Sequence, residues 1–282
     1  MSNKNKQYSL NLKKFNLNSI PDGSICTFIG KRKSGKSFCL RDLIYKKKDY
    51  PIGKVISGTE EANPFFADFW PKTFIDFEFE ENTVAKLIKR QKMLLEKIRS
   101  DPAKYEDVDP RMMIVLDDCL YDDNWAKTVP IRNIFMNGRH YKIFFIVTMQ
   151  YVLGIPPVLR TNIDYTFIFR EPSLSNRRRI YENFCGMIPT FPLFCQVLDS
   201  LDKYECLVIC NDSDKVGLEE QVYWYKAVDN GDFKFGDERI WRIDADAQEK
   251  SKNEDVKKDG KDLSEYRPYK KNSIHLNINK YD

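Results

Sequence analysis

Short, nearly continuous apolar runs alternate along most of this chain with longer segments whose apolar residues recur three and four positions apart. The first kind reads as buried strand and the second as amphipathic helix. Ile25, Thr27, Phe28 and Ile29 form the first run, and Phe38, Leu40, Leu43 and Ile44 follow at helical spacing. Residues 53–60 predict a second buried strand, 74–77 a short extended piece, and 82–99 a helix with Val84, Leu87, Ile88, Leu94, Leu95 and Ile98 on its apolar side. Between them, Phe65, Phe66, Phe69 and Trp70 in the loop 62–71 are expected in the core. The run 112–119 ends in two acids, 131–141 predicts a helix with a glycine near its end, and 143–150 predicts a strand capped by Gln150. A strand over 164–170 and a helix over 173–185, with Ser173 as N-cap, come next. Residues 204–210 and 221–227 read as later strands, paired as a hairpin. Strands this uniformly apolar, separated by helices, indicate an α/β fold with a mostly parallel sheet covered on both faces.

The pattern lapses near residue 244. From there the chain is polar and charged, so residues 1–243 are expected to form one domain and 244–282 a flexible charged tail. Alternation returns at Ile274, Leu276 and Ile278, and also occurs in residues 8–12; either stretch could add an edge strand. The chain's 282 residues include 46 Lys and Arg against 42 Asp and Glu, a balance that neither demands nor excludes nucleic acid. The seven cysteines (Cys26, Cys39, Cys119, Cys185, Cys195, Cys206 and Cys210) contain no C-x-x-C, and only His140 and His275 are histidine. A disulfide framework or zinc site is therefore not expected, and a reducing compartment fits. No apolar signal core opens the chain, and no uncharged run is long enough to span a membrane.

Chemistry concentrates where the first strand meets the first helix. Gly30, Lys31, Arg32, Lys33, Ser34, Gly35, Lys36 and Ser37 complete the pattern G-x-x-x-x-G-K-S. The glycines permit a tight turn and close backbone approach, main-chain N–H groups cradle phosphate, Lys36 reaches the β- and γ-oxygens, and Ser37 offers a hydroxyl to Mg²⁺. The motif does not require Lys31, Arg32 or Lys33, which read as solvated cations or additional phosphate attraction.

Two further strand ends should reach the same place, because ligands of parallel α/β sheets collect at the carboxyl ends of the strands. Asp117, delivered by a buried strand, is placed to hold Mg²⁺, and Asp118 to orient or deprotonate an attacking water. Gln150 is a candidate γ-phosphate sensor. Arg139 is a candidate finger reaching a neighbouring subunit's nucleotide, with Arg160 and Arg170 as alternatives. Arg177, Arg178 and Arg179 form the densest basic run and read first as a solvated helix face.

The order of these parts resembles the FtsK–HerA superfamily of P-loop motors, and more narrowly the genome-packaging ATPases of nucleocytoplasmic large DNA viruses, the poxvirus packaging ATPase among them. The residues that carry the resemblance are FIGKRKSGKSFCLRDLI, GKVISGTEEANPFF, MMIVLDDC and NGRHYKIFFIVTMQYVLGIPPVLRTNIDYTFIFR, within about residues 20–190. The resemblance implies a RecA-like P-loop core of sheet order 5-1-4-3-2, with β additions beyond it. It also implies a homo-oligomeric ring of five or six subunits, and ATP- and Mg²⁺-dependent movement of double-stranded DNA into a capsid. Further implications are an anchoring capsid or virion membrane component, action in the virion and host-cell cytoplasm, and Gln150 as the sensor. Two features depart from the pattern. Asp118 stands where many relatives carry glutamate, and the phosphate loop is more basic than usual. A small-molecule phosphotransferase and a nucleotide-gated interaction protein are the competing readings of the same loop.

Overall fold

In a computed structural model, residues 11–118, 124–151, 154–211, 214 and 217–258 are described, with side-chain environments through Lys250. A nine-stranded sheet organises the chain to Asp244. Its strands are β1 (Lys13–Lys14), β2 (Ile25–Ile29), β3 (Ile52–Ser57), β4 (Ile75–Asp76), β5 (Met112–Asp117), β6 (Ile143–Met149), β7 (Tyr165–Ile168), β8 (Glu205–Cys210) and β9 (Val222–Lys226), in the spatial order β1-β9-β8-β7-β2-β6-β5-β3-β4. The middle five, β7-β2-β6-β5-β3, are mutually parallel. Numbered among themselves, with the edge strand β4 left out of the count, they run 5-1-4-3-2; the order of the whole nine-stranded sheet differs from the expected one by the four strands added at its edges. β8 and β9 extend the sheet as an antiparallel hairpin, and β4 and β1 close its two edges.

The helices are α1 (Lys36–Lys46), α2 (Glu81–Ser100), α3 (Val129–Asn137), α4 (Pro157–Arg160), α5 (Leu174–Phe184), α6 (Phe191–Ser200), α7 (Leu218–Gln221) and α8 (Glu238–Lys258). Alternate residues of each central strand feed two separate apolar layers. Ile114, Leu116, Phe145 and Val147 pack with α2, α3, α5 and α6 on one face. Met113, Val115, Phe144 and Ile146 pack with α1 and the aromatic loop on the other. β2, β5 and β6 are buried almost end to end, which is why they read as continuous apolar runs rather than as alternation. Phe66, Phe69 and Trp70 are fully buried, and Trp70 stacks on Phe235 at 3.6 Å between centroids.

Several boundaries move for local reasons. The strand expected to reach residue 60 stops at Ser57, where the chain turns over the sheet end and buried Glu60 accepts the backbone N–H groups of Phe65, Phe66 and Ala67 at 2.8–3.1 Å. The helix expected over 131–141 ends at Asn137, and Lys142, at φ 58°, redirects the chain into β6. Ser173 occupies the N-cap position of α5 without a side-chain capping bond. α6, with Phe194, Val197 and Leu198 buried, was not apparent from the sequence pattern. Past Asp244 the chain continues in α8 to Lys258, so the first part of the expected flexible tail is helical; Ala, Gln, Glu and Lys are strong helix formers. The edge strand expected at 274–278 and the alternation at 8–10 lie outside the described residues. Among the described residues no helix is long and apolar enough to cross a membrane.

Candidate nucleotide-binding site

The phosphate loop joins β2 to α1 over the carboxyl end of the parallel strands. Gly35 sits at φ 99° as the N-cap of α1, a conformation that glycine alone adopts without cost. A Cβ on Gly30 would lie 2.8 Å from both the Phe169 Cβ and the Ser34 Oγ, so the first glycine is required by close packing. The Ser34 hydroxyl is buried and makes no hydrogen bond, which suits a loop built around an oxygen-rich ligand. Lys36 folds back so that its Nζ donates to the Gly30 carbonyl and, at 3.4 Å, to that of Lys31. Burial lowers its pKa, while Asp118 and Asp117 oppose that shift.

Asp117 ends β5, which β6 separates from the loop-bearing β2. The register aligns Ser57 of β3, Asp117 of β5 and Thr148 of β6 in one row across the sheet. The Ser57 hydroxyl donates to Asp117 Oδ2 at 3.0 Å and the Thr148 hydroxyl to Oδ1 at 2.6 Å. Burial nevertheless raises the Asp117 carboxyl above its ordinary range; these two bonds and the Lys36 charge pull against it. Thr148 also accepts the backbone N–H of Asp118 at 3.2 Å. Asp118 adopts φ 51°, which turns it out of the strand, and Gln150 donates from Nε2 to its Oδ2 at 2.5 Å.

Asp117, Asp118, Thr148 and Gln150 line one cleft of about 1060 Å³, together with Gly58, Thr59, Ala62 and Asn63 on one flank and Arg170, Pro172, Asp202, Lys203 and Tyr204 on the other. All eight loop residues except Gly30 line it, as do Asp117, Asp118 and Gln150. Arg139 does not. It lies before β6, at the opposite end of the strand from Gln150, where its guanidinium pairs with Asp164 at 2.6 Å. Asp164 also accepts the Ile25 N–H at 2.7 Å, so within its own subunit Arg139 fastens the start of β2. Arg160 bonds to Ile155 O and Asn183 Oδ1, away from the cleft lining. Arg170 is the candidate finger that the fold brings into the cleft, held by the Leu201 carbonyl. Lys31 is not merely solvated: its Nζ pairs with buried Glu171 at 3.2 Å.

Ser57, Thr148 and Tyr204 escaped the sequence reading. A signal existed for Thr148, two residues before Gln150 and therefore on the same side of β6. None existed for Tyr204, which reaches the cleft because β8 runs antiparallel and starts where β7 ends.

The donor set fits Mg²⁺. Among the described residues no cluster of three His, Cys, Asp or Glu could cage a metal, and Mg²⁺ is commonly held by one carboxylate, a hydroxyl, water and substrate phosphates. Asp117 and Ser37, both on the cleft, supply that set.

Mimivirus (Acanthamoeba polyphaga mimivirus) protein L437 is 36% identical over 227 residues, 80% of each chain. Protein 075L of invertebrate iridescent virus 6 is 37% identical over 232 residues, covering 80% of this chain and 86% of its own. The chain belongs to the viral protein family that these two represent. Both family members are described only as uncharacterized proteins. No family model matches the chain. The fold is shared with B204, described as the DNA-packaging ATPase of Sulfolobus turreted icosahedral virus: TM-score 0.50 at 14% identity, over 74% of this chain and all of that one. The genome packaging NTPase B204 of Sulfolobus turreted icosahedral virus 2, solved with AMP, gives TM-score 0.50 at 13% identity over 73% of this chain and 98% of its own.

Proposed function

We propose that this protein hydrolyses ATP and uses the energy to move double-stranded DNA into a viral capsid, acting as a ring of identical subunits. The observation that carries the hydrolytic part is the convergence of Lys36, Asp117 and the Asp118–Gln150 pair on a single cleft. Support for packaging comes from the fold shared with B204 and from family members in large DNA viruses.

In this reading the backbone of residues 30–37 cradles the triphosphate, the N-terminal end of α1 adds its positive dipole, and Lys36 leaves the loop carbonyls to meet the β- and γ-oxygens. Asp117 and Ser37 would hold Mg²⁺, which would supply positive charge against the triphosphate. Asp118 accepts a proton from water as its oxygen bonds the γ-phosphorus and the bond to the β–γ bridging oxygen breaks, leaving ADP and phosphate. Gln150 fixes the carboxylate for that step. Asp118 is a shorter base than glutamate, and its left-handed backbone moves it out toward the ligand.

DNA contact falls to exposed cations. Arg177 is committed to Asp199 at 2.6 Å, whereas Arg178 and Arg179 are exposed on α5. Arg179 lies over the ring of Tyr151, the residue after Gln150, at 5.3 Å. This links the sensor strand to the basic helix face. A capsid or virion membrane component anchors the ring at the assembly site.

The deciding experiment is ATP turnover with and without duplex DNA, alongside mass measurement of the assembly. Stimulation by DNA in a multi-subunit species supports the proposal. Phosphoryl transfer to a small acceptor by a monomer, or tight nucleotide binding without turnover, would replace it.

A further inference from the structure

The cleft straddles β2. Asp117, Asp118 and Gln150 come from β5 and β6 on one side of that strand; Arg170 and Pro172 follow β7, and Asp202, Lys203 and Tyr204 precede β8, on the other. A triphosphate laid over the phosphate loop with its γ end at the acids must therefore point its nucleoside toward the β7–β8 side.

Tyr204 waits there in an unusual state. Its φ is 66°, in the left-handed region that a bulky side chain rarely enters. Neighbouring bonds hold it so: the Ala227 N–H donates to the Tyr204 carbonyl at 3.0 Å, the Glu205 N–H to the Asp202 carbonyl at 3.1 Å, and the Arg170 guanidinium grips the Leu201 carbonyl. The backbone and ring of Tyr204 also lie against the phosphate loop, each at van der Waals distance, 3.6 Å, from where a Gly35 Cβ would stand. The ring meets Phe38 at 4.7 Å between centroids, yet the residue stays 38% exposed on the cleft. Lys203 Nζ lies 4.9 Å from the ring centroid, a cation on a flexible stem over an electron-rich face. The fold thus spends strain to present a flat aromatic ring, flanked by Lys203 and Arg170, at the nucleoside end of a phosphate site.

We infer that Tyr204 is the stacking platform for the nucleotide's purine base. This rests on the reading of the cleft as a nucleoside triphosphate site. Stacking on an aromatic ring tolerates different bases but favours the larger purine surface, so Tyr204 makes the site prefer purine over pyrimidine nucleotides. Lys203, on a flexible stem over that ring, must move aside for the base to stack on that face.

Calorimetric titration of the full chain with Mg²⁺ and either ATP or inorganic tripolyphosphate tests this, because only ATP carries a base. Tyr204→Ala should weaken ATP binding about tenfold to a hundredfold and leave tripolyphosphate binding within about twofold of wild type. Tyr204→Phe should bind both as wild type does. Tyr204→Gly, which relieves the backbone strain, should lose the same ATP affinity while melting at or above the wild-type temperature; a ring needed only for packing would lose both. Wild-type ATP affinity in folded Tyr204→Ala would overturn the inference and leave the triphosphate reading intact. Wild type that binds neither ATP nor tripolyphosphate would overturn both.

Discussion

Gln150 donates from its side-chain amide to Asp118 Oδ2 at 2.5 Å, joining the ends of two adjacent parallel strands above the phosphate loop. Asp118 accepts in this bond and lines the cleft, and the bond makes the carboxylate's position depend on β6. If Asp118 takes the proton from the attacking water, Asp118→Asn should lower ATP turnover by about 10²–10⁴-fold while leaving nucleotide affinity within a few-fold. Steady-state rates and an equilibrium titration separate the two. Unchanged turnover would remove Asp118 from that role.

Asp117 is costly to the ligand-free fold. Its carboxyl is raised by burial, so the folded state keeps the proton to higher pH than the unfolded chain does. The stability contributed by the neutral form is present below the ordinary carboxylate range and is lost as pH rises through the raised value. Asp117→Asn should abolish that loss. Without nucleotide, the variant should melt a few degrees above wild type near neutral pH, at roughly 2–4 °C per kcal/mol. It should also gain nothing from Mg²⁺ with ATP, which should raise the wild-type melting temperature. A variant that melts lower than wild type at neutral pH would contradict this account.

Glu60 anchors the loop on the β3 side of the cleft through three backbone N–H groups. Glu60→Gln keeps the shape but turns an NH₂ toward donors that need an acceptor. The expected cost is about 1–3 kcal/mol, since a buried donor left unpaired loses its full solvation. Thermal melting should fall by roughly 2–12 °C at 2–4 °C per kcal/mol. A smaller change would mean that the loop repacks.

Arg178 and Arg179 offer the test of DNA contact. Replacing both with alanine should leave basal ATP turnover unchanged, remove most of its stimulation by duplex DNA, and reduce the salt dependence of DNA binding by about two phosphate contacts. Full stimulation in the double variant would place the DNA elsewhere.

Arg139 can serve a nucleotide only in a neighbouring copy, because its own cleft lies at the other end of β6. Arg139→Ala is expected to loosen the Asp164 clamp and lower the melting temperature by a few degrees, with turnover per folded subunit within about threefold of wild type. A collapse of turnover in folded Arg139→Ala would contradict this, and recovery of that lost activity on mixing with Lys36→Ala subunits would then establish a finger acting between subunits.

Apolar patterning and short motifs were enough to specify the five central strands, helices α1, α2, α3 and α5, and the positions of the glycine–lysine loop and the two acids, but not α4 or α6. Each of those signals is local: a buried parallel strand is apolar along its length, and a phosphate loop must carry its glycines and lysine at fixed spacing. The pairing of strands was not local. Only the folded register could set Ser57 and Thr148 against Asp117, because a hydroxyl at a strand end looks the same whether or not a carboxylate lies across from it. Only the antiparallel return of β8 could bring Tyr204 to the phosphate loop from far along the chain, and only the direction of β6 could carry Arg139 away from it. Sequence names the groups that a site requires; the direction and order of the strands decide which of them meet.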